Sequence, residues 1–327
     1  MATCMDVAKC ANVSTATVSR ALRKRGQNSL SETYQRVIQI ADELNYFPNP
    51  SASSLRTNST RTVGLLIPNI NNPFYIRLAS LLEQALRAKG CRLSISFCSN
   101  GYEKDERSIL QMMLDYRFSG IIFSPRNRKN SDIVNLCKQN NITMMQLLTK
   151  SYDDSDAIVM DDTYGMYIGT KHLLKKGHVK ILFAGNHERM EGVNRAYDES
   201  GIPRDNATIY EYGLHDTIEN TSANLEKILI DHRPSAAFAV TDFVGVAMYR
   251  AMKKLHLQFP EDISFLLYDD QTWSAMMDVS VITHPLDMIA DMASHRLIKA
   301  IESKMAASPA ITMIRPYLLE RNSIQMK

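Results

Sequence analysis

A short segment near the amino terminus carries the side chains that point most clearly to a chemistry. Between Ser14 and Leu22 the apolar residues fall on one face of a helix, and Ser14 is placed to cap its first turn. The outward residues are small and polar apart from one cation, namely Thr15, Ala16, Thr17, Ser19 and Arg20. Small side chains let a helix enter the DNA major groove, where arginine binds guanine edges or phosphate and threonine or alanine contacts thymine methyl groups. We therefore predict a helix that reads DNA, against the alternative of an ordinary helical bundle.

Two neighbouring helical patterns are placed to hold this helix. Thr3 and Asp6 have the spacing of a capping box, and Asn12 suits the left-handed residue of a tight turn. Ser31 begins a third amphipathic pattern, which Asn45 is placed to end. Two short helices joined by a tight turn and braced by a third form a helix-turn-helix head.

The charge of the chain is divided unevenly along its length. Residues 1–61 contain eight Lys/Arg and four Asp/Glu, whereas the remainder contains 30 Lys/Arg and 31 Asp/Glu. A basic head on a nearly neutral body favours a polyanionic partner for the head. The alternative is a solvated basic surface with no partner.

The residues of the head resemble a known family. The segments Asp6–Lys9, Ala11–Leu22 and Glu43–Tyr46 are similar, without gaps, to the helix-turn-helix signature of the lac-repressor (LacI/GalR) family. The resemblance implies a cytoplasmic transcription regulator, most often a repressor, that binds a palindromic double-stranded DNA operator as a homodimer. It implies no enzyme activity and no cofactor.

Residues 47–61 have the composition of a linker. Asn49-Pro50 is nevertheless a helix-start pattern, and so short a helix is marginal alone and is expected to fold on binding. The stretch is similar to the family's hinge helix, which enters the DNA minor groove. That resemblance implies that Leu55 wedges a base step open and that Ala52 and Arg56 contact the groove walls and the backbone. The alternative is a flexible linker.

The remainder of the chain alternates apolar strands with helices. This pattern predicts parallel sheets with helices on both faces, and the length favours two Rossmann-like lobes with a ligand cleft at the carboxyl ends of the strands. Landmarks such as Gly120–Phe123 and Tyr268–Asp270 resemble the family's periplasmic-binding-protein-like core. The predicted boundaries are 1–46 for the DNA-binding domain, 47–61 for the hinge and linker, and 62–327 for the effector-binding and dimerisation domain. Within that domain the first lobe comprises about 62–160 and 286–315, and the second about 161–285 and 316–327.

The resemblance also implies residues that bind an effector, for example a sugar or sugar derivative. Phe74 matches an aromatic residue that stacks on the ligand, and Arg189 matches an arginine that binds its polar edge. Thr241 stands at a pocket position with Asp242 beside it, and Asp269 matches an acid that accepts ligand hydroxyls.

Two departures from the family pattern bear on that effector. Leu148-Thr149 stands where the family usually has a polar pair that includes a ligand-hydroxyl acceptor, and the loop before Arg189 is short. A regulator of the same family that works without an effector therefore stays open as an alternative.

Composition and motifs argue against several other classes of protein. The five cysteines are few and scattered, no secretory signal or membrane-spanning run is found, and no dinucleotide, P-loop, nucleophile-elbow or metal-site motif is present. We therefore expect no catalytic residues and no metal site. A solute-binding protein of a transporter is the alternative from a different class, and the basic head and the lack of a signal argue against it.

Overall fold

The structure is a computed structural model of the full chain that describes residues 2–26, 29–47, 60–98, 102–185, 189–213, 216–303 and 309–327. The chain divides into two compact units, Met1–Thr60 and Arg61–Lys327. The hinge predictions at Ala52, Leu55 and Arg56 lie outside the described residues.

Three helices form the head: α1 Cys4–Ala11, α2 Thr15–Arg23 and α3 Glu32–Glu43. The predicted capping box is present at the start of α1, where the Asp6 amide donates to Thr3 Oγ1 at 3.3 Å and the Thr3 amide donates to Asp6 Oδ2 at 2.8 Å. Asn12 ends α1 in the left-handed conformation, with φ of 53°. The predicted helix-turn-helix is therefore confirmed.

The head has a small core of its own. Its fully buried side chains come from all three helices: Val7, Ala8, Ala11, Val18, Ala21, Val37 and Ala41. Because these side chains are mostly small, the three helices pack closely, and the core is easily disrupted by a polar substitution.

The first lobe of the larger unit is built on a six-stranded parallel sheet. Its strands are β1 Thr62–Ile67, β2 Arg92–Phe97, β3 Gly120–Phe123, β4 Thr143–Leu148, β5 Asp156–Met160 and β11 Ile311–Ile314. The strand order is β11-β5-β4-β3-β1-β2, and in the centre Leu65 of β1 lies between Ile95 of β2 and Ile122 of β3. Its helices are α4 Pro73–Ala88, α5 Tyr102–Asp115, α6 Ser131–Gln139 and α12 Leu286–Ser303. Separate apolar clusters cover the two faces of this sheet.

The second lobe has the same architecture. Its strands are β6 Ile181–Ala184, β7 Ala207–Tyr210, β8 Ala236–Ala239, β9 Ser264–Tyr268, β10 Ser280–Thr283 and β12 Tyr317–Leu319. The order is β12-β10-β9-β8-β6-β7, with only β12 antiparallel to its neighbour among the described strands. Its helices are α7 Asp162–Lys175, α8 Met190–Ser200, α9 Ile218–His232, α10 Asp242–Lys254 and α11 Thr272–Met276, with a 3-10 turn at Arg204–Asn206. The predicted fold class of a helical head and two α/β lobes is confirmed.

The chain passes between the lobes at three places. These crossovers lie at Asp161 between β5 and α7, at His284-Pro285 between β10 and α12, and at Arg315-Pro316 between β11 and β12. Asp161 and Arg315 are linked directly, because the Asp161 carboxylate lies 3.6 Å from Arg315 Nε and the Asp161 amide donates to the Ile314 carbonyl at 2.9 Å. Two of the three crossovers, at Asp161 and at Arg315, are therefore joined to each other.

Two details of the helices position the site. Helix α4 begins at Pro73, because Asn72 Oδ1 accepts the Phe74 amide at 3.0 Å and proline suits the first turn. Helices α7 and α8 approach closely at Gly192, where a Cβ atom would lie only 2.0 Å from the Thr163 carbonyl oxygen. A larger residue at Gly192 would therefore separate α7 from α8.

Candidate functional site

The second helix of the head presents the side chains that were predicted to read DNA. Thr15, Ala16 and Arg20 are exposed, whereas Thr17 and Ser19 are half-buried. Ser14 Oγ accepts the Thr17 amide at 3.1 Å and lies 3.0 Å from Thr17 Oγ1, so the Thr17 hydroxyl takes part in the cap. Among the predicted residues, Thr15, Ala16 and Arg20 therefore form the most accessible face of α2.

The cations of the head fall into two groups. Arg36 donates to the Ala11 carbonyl at 2.8 Å and Arg25 pairs with Asp42, so both are engaged in holding the head together. Arg20 and Lys9 are exposed, and within the described residues the one side-chain hydrogen bond of Arg20 runs from its Nε to the Ala16 carbonyl one turn earlier, at 3.3 Å. The Nη groups of Arg20 have no hydrogen bond to another described residue and are donors that a ligand could use.

In the body, the polar side chains gather where the strands of the second sheet end. Arg189 follows β6, Thr241 and Asp242 follow β8, and Asp269 follows β9, and these three strands lie side by side in the order β9-β8-β6. Because parallel strands end at the same edge of a sheet, the four residues meet there, although the chain separates them by up to 80 positions. We call this edge the second lobe's wall; Tyr75 of the first lobe lies close enough to it for the charges of Asp269 and Arg189 to act on Tyr75.

The arginine of this wall is held by three groups. Arg189 Nη2 pairs with Asp162 Oδ2 at 2.7 Å, and Nη1 donates to the Val240 carbonyl at 3.4 Å. The guanidinium carbon lies 4.9 Å from the centre of the Tyr268 ring. Burial by itself would lower the pKa of Arg189, but the Asp162 carboxylate acting together with Tyr268, Asp269 and Tyr75 outweighs it, so the pKa is raised and the side chain stays charged.

Asp162 is the centre of this network. Its Oδ1 atom accepts the Tyr268 hydroxyl at 3.0 Å and lies 3.3 Å from His284 Nε2. Burial by itself would raise the pKa of Asp162, but the hydrogen bond from His284 and the charge of Arg189 outweigh it and hold the pKa below its ordinary value. Asp162 is therefore an ionised carboxylate whose two oxygens are both engaged.

The other two acids have different surroundings. Asp242 Oδ1 accepts the Trp273 indole N–H at 2.7 Å, and Thr241 Oγ1 caps α10 by accepting the Val244 amide at 3.3 Å. For Asp269, in contrast, no hydrogen bond or ion pair joins its carboxylate to another residue in the described ranges, and its φ is 71°. Burial raises the pKa of Asp269 to about 6, against the opposing effect of His284 and Arg189.

The first lobe contributes aromatic rings that lie near this wall. Phe74 and Tyr75 stand at the start of α4 with their ring centres 5.3 Å apart in an edge-to-face arrangement, and Phe74 lies 6.4 Å from the His284 ring. Burial, reinforced by the charge of Asp269, raises the pKa of Tyr75, while Arg189 acts in the opposite direction. Tyr75 therefore lies within electrostatic reach of the second lobe's wall.

Sequence reasoning missed Asp162, Tyr75 and His284 as residues of this site. Each has a weak sequence signal: Asp162 follows another acid at the predicted lobe boundary, Tyr75 follows Phe74, and His284 precedes a crossover proline. None of these signals indicates that Asp162 pairs with Arg189 and lies beside His284, or that the charge of Arg189 acts on Tyr75.

The departures from the family pattern have a structural counterpart. The Thr149 hydroxyl donates to the Pro125 carbonyl at 2.8 Å, and Leu148 packs against the core of the first lobe with φ of 73°. This edge of the first lobe therefore serves packing and loop structure. The short loop before Arg189, residues 186–188, lies outside the described residues.

The described residues contain neither a membrane-spanning helix nor a cluster of metal-binding side chains. No helix in the described ranges combines the length and the apolar composition needed to cross a membrane. In the same part of the chain, no three His, Cys, Asp or Glu side chains are grouped closely enough to hold a metal ion.

A helix-turn-helix head followed by a two-lobed α/β body defines a class of DNA-binding regulator, and comparison with known proteins agrees. Residues 3–49 match the family described as bacterial regulatory proteins, lacI family, and residues 170–324 match the periplasmic binding protein-like domain. The regulator DegA of Bacillus subtilis is 30% identical over 306 residues, which cover 90% of this chain and 89% of DegA. The repressor PurR of Aliivibrio salmonicida is 29% identical over 336 residues, with 99% of both chains covered.

Solved structures share the fold. A lac repressor dimer bound to operator and an anti-inducer has a TM-score of 0.81 at 20% identity, covering 99% of both chains. A LacI-family regulator from Enterococcus faecium with bound ribose has a TM-score of 0.72 at 22% identity, covering 81% of this chain and 99% of the other. The chain belongs to the lacI family of bacterial regulatory proteins, and it is a DNA-binding transcription regulator.

Proposed function

We propose that this regulator is a cytoplasmic repressor, without enzyme activity, that binds a palindromic operator as a homodimer and responds to a small molecule in the inter-lobe cleft. The observation that carries the proposal is the exposed face of α2, with Thr15, Ala16 and Arg20 presented by a capped helix inside a basic helix-turn-helix head. DegA and PurR, which match nearly the whole chain, are a transcriptional regulator and a transcriptional repressor by name.

In this proposal α2 lies in the major groove. Arg20 binds guanine edges or a phosphate, and Thr15 and Ala16 contact thymine methyl groups. Thr17 and Ser19 lie at the margin of the face, where they contact the backbone, because both are half-buried. The proposed hinge contacts of Leu55, Ala52 and Arg56 with the minor groove rest on their sequence pattern alone.

A homodimer is supported by the operator geometry and by an exposed sheet edge. A single α2 helix reads one half-site, so a palindrome requires two heads. Strand β2 lies at the edge of the first sheet, and Ile95 and Phe97 on it are 46% and 44% exposed. Exposed apolar residues on an unpaired edge strand favour a second chain as their partner.

The proposed effector site is the cleft wall formed by Arg189, Thr241, Asp242 and Asp269, with Phe74 opposite. Arginine N–H groups and carboxylate oxygens together suit a ligand that bears hydroxyl groups, and the Phe74 ring suits its apolar face. The lac-family structure from Enterococcus faecium holds ribose, a ligand of this chemical kind. Closure of the lobes on such a ligand would change the separation of the two hinges in the dimer.

The direct test is selection of bound duplexes from a random double-stranded DNA library by the full-length protein. We expect enrichment of a palindrome, and binding to it at 100 mM salt in large excess over bulk competitor DNA. The hinge is tested on the same duplex with Leu55→Ala, which should bend the DNA less than the wild type; Leu257→Ala, on the body, is the control. Enrichment of no sequence would overturn the proposed function, and unchanged bending with Leu55→Ala would overturn the wedge.

A further inference from the structure

We propose that Asp162 sets the charge selectivity of the cleft: by holding Arg189, it makes the site accept uncharged hydroxyl-bearing ligands and reject carboxylates and phosphates. This inference rests on the proposed function, because it concerns the ligand of the proposed effector site. It assigns a role to a residue that is not itself a ligand-contacting residue in that proposal.

The first step is the pairing of the cleft's arginine. Arg189 and Asp162 are joined at 2.7 Å, and their side chains are 30% and 28% exposed, so the pair is shielded from solvent but still reachable from the cleft. An arginine that is already neutralised offers N–H donors to a ligand without offering a net positive charge. A hydroxyl or carbonyl oxygen needs only the donors, whereas an anion needs the charge.

The second step is that Asp162 is held in place. Its Oδ1 accepts the Tyr268 hydroxyl and lies next to His284, and the carboxylate sits at the first residue of α7, where a negative charge is favoured. The His284 side chain is only 1% exposed, so this side of the network is fixed. An anionic ligand would therefore have to approach Arg189 with the Asp162 carboxylate still beside it.

The third step is the charge of the surrounding wall. Asp242 and Asp269 face the same edge of the sheet and lie close enough to each other for Asp242 to act on the ionisation of Asp269. On the opposite lobe, Arg126 is near enough to act on Tyr75, but it is exposed and has an interaction partner of its own. Among the described residues, the acids Asp162, Asp242 and Asp269 thus outnumber the arginines Arg189 and Arg126 around the ligand space.

Repulsion of anions by Asp162 and hydrogen bonding of hydroxyl groups therefore both favour an uncharged ligand. A phosphate next to Arg189 would lie within a few ångströms of the Asp162 carboxylate, where like charges repel strongly because little solvent screens them. A hydroxyl group can donate to Asp269 or Asp242 and accept from Arg189 at once. Selectivity is achieved by an unfavourable contact with the wrong ligand as much as by favourable contacts with the right one.

The test is calorimetric titration of the full-length protein with matched probes: D-ribose and D-ribose 5-phosphate, D-glucose and D-glucose 6-phosphate, and inorganic phosphate alone. The variant is Asp162→Asn, which keeps a side chain of the same shape but loses the charge. The matched control is Asp161→Asn, which removes the same charge one residue earlier; Asp161 caps α7 through the Tyr164 amide at 3.0 Å, and asparagine caps equally well.

We expect the wild type and Asp161→Asn to bind inorganic phosphate and the phosphorylated probes negligibly. Asp162→Asn should bind inorganic phosphate at least about tenfold more tightly than the wild type. This gain in phosphate affinity should vanish in the double variant Asp162→Asn/Arg189→Met, because the phosphate then has no arginine to bind. If Asp162 had only a structural role, its substitution would not produce this pattern. If Asp162→Asn is not folded by circular dichroism, Asp162→Ser replaces it.

Three results would overturn the inference: a wild type that binds a phosphorylated probe more tightly than its uncharged parent, an Asp162 variant with unchanged phosphate affinity, or an equal gain in Asp161→Asn. Binding of the selected operator is measured on the same protein preparations. Failure of operator binding overturns the proposed function and leaves the phosphate titration interpretable, so the two failures are distinguishable.

Discussion

The head and the body of this regulator build their candidate sites in opposite ways. In the head, the predicted DNA-reading residues come from one helix of nine residues and lie on an exposed or half-buried face. In the body, Arg189, Asp242 and Asp269 follow three different strands; Arg189 is paired with Asp162, and burial raises the pKa of Asp269. The head presents positive charge to a large polyanion in water. In the body, ion pairing and burial modify a few charged groups around the proposed site for a small ligand.

The two sites should therefore be disrupted by different kinds of substitution. An exposed face on a small helical unit depends on the fold beneath it and tolerates changes at single contacts. A cleft wall depends on pairings, since a buried charge that loses its partner is costly.

The largest expected effect is the loss of the head's fold without loss of the body's. Val18 is fully buried in the head core. Val18→Asp buries a carboxylate without a partner, at a cost of more than about 3 kcal/mol, and should abolish operator binding. Trp273, the chain's only tryptophan, reports on the second lobe, and its fluorescence transition in urea should be unchanged. The control is Thr33→Asp, which places the same charge on the exposed surface of α3 and should bind DNA normally. Retained operator binding by Val18→Asp would show that the DNA-reading face does not depend on the core of the head.

The corresponding substitution in the body is Gly192→Ala, which disturbs the packing of α8 against α7. The new methyl group would meet the Thr163 backbone oxygen, which cannot move aside, so we expect the free energy of unfolding to fall by about 2–3 kcal/mol. Gly213→Ala is the control, because its Cβ would have only ordinary contacts, 3.5 Å or more, with Asp216. Urea unfolding followed by Trp273 fluorescence measures the difference between the two variants. Equal stability of the two would show that α7 and α8 separate easily.

Arg20→Ala tests whether the exposed arginine of the head binds a base or a phosphate. Removing one specific base contact should weaken operator binding by about 1–3 kcal/mol and relax the base preference at one position of each half-site. If Arg20 binds phosphate instead, the loss will be similar for all sequences, and the slope of log affinity against log salt will fall by about 1. Arg204→Ala is the matched control, since Arg204 pairs with Asp198 on the body surface. Fluorescence anisotropy with specific and scrambled duplexes distinguishes these outcomes.

The smallest effect concerns the stability of the cleft wall. The pKa of Asp269 is raised to about 6 in the folded protein, whereas the same carboxyl group in the unfolded chain has a pKa of about 4. Between about pH 4 and pH 6, the folded protein therefore retains a proton on Asp269 that the unfolded chain has lost. Stability should therefore fall as the pH rises from about 4 to about 6. Asp269→Asn lacks this penalty, and asparagine tolerates the left-handed conformation, so the variant should be more stable by about 1–2 kcal/mol at pH 7.5. The difference should disappear below about pH 4, and a difference independent of pH in thermal unfolding would contradict the assigned cause.

Much of the fold could be predicted from short stretches of sequence. The cap at Ser14, the left-handed Asn12 and the apolar run Gly120–Phe123 behave in the structure as their local chemistry indicates. Other elements were not foreseen: strand β7, Ala207–Tyr210, has four residues, and β12 is an edge strand of three. Such short strands carry too little periodicity to be recognised and exist because a neighbouring strand pairs with them.

The order of residues along the chain was enough to identify the family, the helix-turn-helix and the alternation of strands and helices, because each depends on neighbours a few positions apart. The meeting of Asp162, Arg189 and His284 depends instead on where the chain crosses between the lobes and on which strands lie side by side. Local propensities do not specify such a meeting, because it is set by packing over distances of many residues. The ionisation of Asp269 likewise follows from its burial, which exists only in the folded chain.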